Sequence, residues 1–305
     1  PDRSRYVRKD GERSSVSAFA EFCANHFSNT DQNIAFVSEA NSSPTYNRLK
    51  EQAMDRFSNA QWVTYEAFGE DNALEGTNIA FGERLRTFNK YDEADIILSF
   101  DDDFMNPAGD KNSVENTRRF TDRREVMSTD DDMSRFYAVE STFTLTGSNA
   151  DNRLRIKSGD IELFIYALAA ELSKSVSGLS AFSGYSNKFS DHEWMSVVAE
   201  DLLGNRGSSI LTVGRDHKPE LHATVAAMNE ALCNAGQTVD YYEVPHLDEQ
   251  NNRDAFAGLV DDLNNGTIDT VVMVGTNPAF TAPADLNFEE ALSNAGQVVH
   301  LSDYY

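Results

Sequence analysis

The sequence predicts an α/β protein made of two Rossmann-like lobes with mainly parallel sheets, and three observations carry that reading. In Tyr91–Met105 (YDEADIILSFDDDFM) a nearly continuous apolar run ends abruptly in Asp101, Asp102 and Asp103. A short apolar run without alternation fits a strand covered on both faces. Thr270–Phe280 (TVVMVGTNPAF) repeats the design, an apolar strand followed by a loop containing Gly, Asn and Pro. Between and around the two, short strands alternate with helical stripes, the pattern of parallel crossovers. Ligands in such sheets bind beyond the carboxyl ends of the strands. The loops that follow these strands are therefore the first place to look for function.

The elements follow in order. Residues 1–13 are charged and irregular, an extended lead-in. Val16, Phe19, Ala20, Cys23 and Phe27 form a helical stripe. Asn33–Val37 is a buried strand, Pro44 opens a helix to about Phe57, and Gln61–Tyr65 is a strand. Asp71 is a candidate N-cap for a helix to Phe81, followed by the Ile96–Phe100 strand. Asp110–Asp132 lacks a clean apolar period and is expected to be a polar excursion. Strand Phe136–Glu140, the hydroxyl-rich loop Ser141–Asp151, a short Arg153–Ile156 segment and helix Ile161–Ser173 come next. Ser175–Asn187 is rich in Ser and Gly and suits a linker. Ser190 with Glu193 has capping-box spacing for a helix to Leu203. Strands at Ser209–Val213, Thr238–Val244, Thr270–Val274 and Val298–Leu301 then alternate with helices at Pro219–Ala235, Arg253–Asn265 and Leu286–Ala295. The expected division is a first lobe at 1–174, a linker at 175–189 and a second lobe at 190–305.

Fifty acids against 26 bases give a formal charge of −24. Such a surface repels phosphate backbones and anionic lipid, which argues against nucleic-acid partners. No apolar run is long enough for a membrane span, so no direct membrane insertion is expected. The acids are spread along the whole chain, as suits a halophilic protein in which salt screens charge. The start at Pro1 and the end just after an apparent strand read as a fragment of a longer protein. Cys23 and Cys233 are too few for a disulfide framework or a cluster site and read as two small buried thiols.

The chemistry-bearing groups are sparse. Asp101–Asp103 offers hard oxygen ligands, but adjacent strand-end residues point in alternate directions and the three cannot all converge; solvated surface is the expected state. Of the six histidines, His26, His192, His217, His222, His246 and His300, none has zinc-helix spacing, and His192 is expected to be exposed in a first helical turn. Neither Gly214–His217 nor Gly275–Pro278 supplies the three glycines of a dinucleotide fingerprint. There is no nucleophile elbow and no Cys with a recognisable base. No catalytic residue and no metal site are assigned.

Several stretches together resemble molybdopterin oxidoreductases: YDEADIILSFDDDF (Tyr91–Phe104), VESTFTLTGSNADNRLRIKSGD (Val139–Asp160) and VVMVGTNPAF (Val271–Phe280). Glu140–Gly147 and Asn277–Asp285 look closest to the molybdopterin-oxidoreductase-like domain of the iron–sulfur subunit of alternative complex III. The resemblance implies lobes like those of formate dehydrogenase and DMSO reductase. It implies a respiratory quinol-oxidising complex, with the other subunits of that membrane complex as partners. It further implies export by a twin-arginine route and a peripheral position on the periplasmic side of the cytoplasmic membrane. The metal ligand of relatives corresponds to Glu66–Asn72, where only Glu66, Glu70 or Asp71 offers an oxygen. Pterin-facing loops correspond to Thr146, Asp151, Asp160, Gly275, Asn277 and Pro278. Without a thiol or hydroxyl ligand, and with acids where relatives are nearly neutral, the implied domain is cofactor-free and structural, with iron–sulfur clusters only in the missing part of the parent. The alternative is a catalytic molybdenum or tungsten oxidoreductase holding bis-molybdopterin guanine dinucleotide through a carboxylate.

Overall fold

The computed structural model describes residues 3–107, 110, 112–244 and 252–304. Two compact units are present, and each has its own core. One is formed by Pro1–Asp71 together with Pro245–Tyr305, the other by Asn72–Val244. The chain starts in the first unit with a two-residue ladder, β1 (Arg8–Lys9) against β2 (Glu12–Arg13), then α1 (Val16–His26), β3 (Ile34–Ser38), α2 (Pro44–Arg56) and β4 (Gln61–Thr64). It builds the second unit from α3 (Asp71–Phe81), β5 (Leu85–Asn89), β6 (Ile96–Phe100), α4 (Ser113–Asp122), β7 (Arg135–Glu140), β8 (Asn152–Arg155), α5 (Ser158–Leu172), α6 (Glu193–Gly204), β9 (Ser209–Val213), α7 (Pro219–Ala231) and β10 (Val239–Glu243). It then returns to the first through α8 (Asn252–Asn264), β11 (Thr270–Val274), α9 (Pro278–Thr281), α10 (Phe288–Leu292) and β12 (Gln297–Leu301).

The α/β class with mainly parallel sheets is observed. The first unit holds a four-stranded sheet in the order β12-β11-β3-β4, parallel throughout. The second holds β8-β7-β6-β9, again all parallel, plus the antiparallel ribbon β5–β10. The two-sided apolar pattern of β6 has a direct cause. Ile96, Leu98 and Phe100 enter a core built with α5, α6 and α7. Ile97 points the other way, into a core with Tyr91, Phe104, Phe120 and Phe136. All five positions are buried, as a central strand with both faces covered requires. Since α4 lies on one face and α7 on the other, the chain changes face between the neighbours β6 and β9. In the first unit the same change falls between β3 and β11. The C-cap of α2, Phe57, packs with Ile34 and Val272, whereas α8 and α10 pack with Ala35 and Val271.

Several expectations need correction. The contiguous division at 1–174 and 190–305 is replaced by a discontinuous one, because β9 pairs with β6 and β11 with β3. The 175–189 segment is no linker: Val176, Leu179 and Phe189 are buried in the second unit's core. The expected excursion contains α4, whose periodicity is hidden because Ser113 and Asn116 share its buried face with Phe120. The strand β5 was not foreseen. Its side chains are only partly covered, so it has neither a full apolar run nor strict alternation. The capping box is absent. His192 caps α6, its Nδ1 accepting from Trp194 N at 3.2 Å, while Ser190 Oγ accepts from Asn187 N at 2.9 Å. Asp71 is the first residue of α3, not its cap. Cys23 is half-buried and Cys233 exposed; the latter sits just past α7 with φ of 60°. His246 lies outside the described residues.

Candidate functional site

The second unit's change of face, between β6 and β9, brings together the most chemistry-bearing side chains. The backbone turns sharply there: Asp101 has φ of 49°, a left-handed conformation costly for a side chain with a Cβ. Gly214, at the end of β9, donates to Phe100 O at 2.9 Å. A Cβ at Gly214 would stand 2.2 Å from Asp101 O, so only glycine lets the two loops close. Asp101 Oδ1 accepts from Ser141 N at 2.6 Å, and Ser141 Oγ donates to the same carboxylate at 3.1 Å. His217 Nε2 lies 3.5 Å from Asp101 Oδ2. Burial alone would raise the Asp101 pKa, but the hydrogen bonds from His217 and Ser141 outweigh it and hold the carboxyl below its ordinary value.

Asp102 points elsewhere. It is half-buried, and its Oδ2 accepts from Thr212 Oγ1 on β9. Burial raises its pKa to about 6; the Thr212 bond lowers it, and nearby Asp110 and Asp103 raise it further. Beneath it, the fully buried Tyr91 stacks on Phe104 with centroids 4.3 Å apart. Burial and the Asp102 charge raise the Tyr91 phenol well above its ordinary value. Asp103 Oδ1 accepts from Thr146 N at 2.9 Å, and Thr146 Oγ1 accepts from Met105 N at 3.0 Å. Asp101 and Asp103 thus both reach the loop after β7, at Ser141 and Thr146, while Asp102 turns the other way, to β9. The expectation of solvated surface fails for all three, which are half-buried; β9, lying beside β6, supplies the Thr212 hydroxyl that holds Asp102.

The β7 loop is closed in the same way. Glu140, almost fully buried, accepts from Arg153 and from Thr144 Oγ1 at 2.6 Å. A Cβ at Gly147 would fall 2.0 Å from Glu140 Oε1, so the carboxylate occupies the space that a side chain there would take. Behind the β9 loop, burial lowers the His222 pKa to about 4, and its Nε2 finds no partner among the described residues.

The other predicted site residues divide between the units. Asp151 is ion-paired with Arg124 at 2.7 Å and Asp160 with Lys188 at 2.6 Å, both in the second unit. Glu66 and Asp71 follow β4 in the first unit, and Asp71 Oδ1 accepts from Asn252 N at 3.3 Å. Gly275 has φ of 73°, and Asn277 O accepts from Phe280 N and Thr281 N to form the short α9 turn that begins at Pro278. Among the described residues no three His, Cys, Asp or Glu side chains gather so as to hold a metal ion. Reading the sequence flagged Asp101–Asp103 and the loops bearing Ser141 and His217. It missed Thr212, a hydroxyl inside an apolar strand, and Arg153; Gly214 after β9 was the available sign of a close approach.

No protein-family model matches the chain, and no curated protein matches it. Among solved structures it is similar to a chain of the formyltransferase/hydrolase complex FhcABCD from Methylorubrum extorquens, crystallised with methylofuran. The TM-score is 0.52 at 13% identity, covering 97% of this chain and 86% of that one. At such identity the likeness shows the fold alone. It overturns the molybdopterin-oxidoreductase resemblance, since the match is to a formyltransferase/hydrolase complex. The reading as a subunit of alternative complex III in respiratory electron transport falls with it, as does the molybdenum or tungsten oxidoreductase alternative. The matching words were short strand-and-loop phrases, and any covered parallel strand ending in a turn calls for similar ones. Twin-arginine export and a periplasmic position rested on that resemblance. Among the described residues no helix is long and apolar enough to cross a membrane.

Proposed function

We propose that this chain is a subunit of a multi-subunit complex that transfers or hydrolyses formyl groups. The supporting observation is the extent of the structural likeness, which runs through both units and over most of the length of both chains. Each four-stranded sheet is read as a Rossmann-like layer, and the β6/β9 crevice as its ligand-facing end. In that crevice the imidazole of His217 is the group able to accept and return a proton, held in place by Asp101. Ser141 Oγ gives its hydrogen to Asp101 rather than to His217, so the arrangement is not a serine nucleophile with its base.

The test uses the tagged full-length chain, produced in its own host and isolated at native mass. Co-isolation of other subunits in fixed ratio is expected, with formate release from a formylated furan by the complex. His217→Gln is expected to slow that release without changing subunit ratio. A monomer, or a complex inert toward formyl donors, would overturn the reading. Release unaffected by H217Q would remove the crevice from it.

A further inference from the structure

At the amino edge of the same sheet, opposite the crevice, the connection from α4 to β7 displays an unusual surface. Within nine residues, Met127 is 82% exposed, Val126 48% and Met133 46%. This apolar display is held in one shape. Asp131 Oδ2 accepts from Met127 N and Ser128 N, both at 2.8 Å. At the ends of the connection, Arg123 Nη1 donates to Asp132 O at 2.7 Å, and Arg124 donates to Ser134 O while pairing with Asp151. The loop is therefore not free to fold its methionines away from water, and fixed exposed apolar groups favour a cover.

The charges of the loop define that cover. Glu125–Met133 contains Glu125, Asp130, Asp131 and Asp132 and no base. A second copy would set the same carboxylates face to face, and nucleic acid or anionic lipid would also be repelled. A cationic surface with an apolar face suits both features, and methionine adapts readily to such a face. We propose that Glu125–Met133 docks a basic amphipathic segment of a partner protein. Val126, Met127 and Met133 take its apolar face, and Glu125, Asp130 and Asp132 meet its Lys and Arg. The inference goes beyond the reading above and does not depend on it.

The probe is a fluorescein-labelled amphipathic helix of about 18 residues, with leucines on one face and lysines on the other. It is titrated by anisotropy against the whole chain in about 0.15 M salt. The triple variant Val126→Ser, Met127→Ser, Met133→Ser keeps every charge and is expected to weaken binding about tenfold or more. Asp130→Asn with Asp132→Asn is expected to cost roughly threefold, an effect that vanishes at high salt. Val197→Ser, at a similarly exposed valine on α6, is expected to change nothing. M127S alone serves if the triple variant does not fold. Binding unaltered by the serine variants, or weakened equally by V197S, would show general attraction to an acidic chain and overturn the proposal. Self-association of the chain, or adsorption to phosphatidylglycerol vesicles, that M127S abolishes would overturn it in favour of a second copy or a lipid surface.

Discussion

The two parallel sheets have the same number of strands and equally apolar centres, yet they end differently. At the carboxyl edge of β8-β7-β6-β9, four carboxylates are drawn inward, and both Gly147 and Gly214 leave room only for the groups packed on them. At the corresponding edge of β12-β11-β3-β4, Gly275 has nothing within 4 Å of the place a Cβ would take. Its loop is held mainly by turn hydrogen bonds. One edge draws half-buried and buried carboxylates together; at the other, Gly275 is open although Thr276 and Pro278 beside it are buried. Burial of polar atoms makes the first edge depend on many residues at once, since each buried acceptor that loses its donor is costly.

Substitutions sharpen this contrast. Gly214→Ala puts a methyl group into the Asp101 carbonyl and is expected to cost about 4 kcal/mol or to prevent folding of the second unit, read from urea midpoints. Glu140→Ala leaves the Arg153 guanidinium partly buried without its carboxylate and is expected to cost about 3 kcal/mol by the same measurement. Asp102→Asn should act in the opposite direction. A carboxyl raised to about 6 when folded stabilises the fold fully below its unfolded value, and loses that contribution as pH rises through 6. At pH 7.5 the asparagine variant is therefore expected to be more stable than the native chain by about 1–2 kcal/mol, the gain shrinking toward pH 4. His222 has the reverse sign. Lowered to about 4 when folded, it adds stability above its ordinary value of 6.5 that is lost as pH falls toward 4. The native chain should thus show a shallow pH profile from 6 to 4, and D102N a steeper fall on acidification. Gly275→Ala, with space but a positive φ, is expected to cost only about 1 kcal/mol. Equal losses for G214A and G275A would erase the distinction between the two edges.

Most strands were legible because a covered parallel strand must be apolar on both faces, as β6 and β11 are. Their partners were not. Nothing in Ser209–Val213 announces that it lies beside Ile96–Phe100, since hydrophobic runs of equal length are interchangeable as neighbours. α4 escaped because polar Ser113 and Asn116 fill its inner face. The same limit hid the site. An Asp triplet in a chain of charge −24 looks solvated until the strand that half-covers Asp102 has been placed. The hydroxyl of Thr212 and the glycine at 214 were the local signs.

The discontinuity of the first unit also has a consequence for biosynthesis. Asn33 N bonds to Asp269 Oδ2 across 236 positions of sequence, and β3 finds its neighbour β11 at similar range. On the ribosome, β3 and β4 emerge long before β11 exists, and loop closure over that distance is slow. Asn72–Val244 emerges with all the strands of its own sheets in hand. Its sheets can therefore close before α8 is synthesised, whereas the first unit must wait for β11 to complete its own.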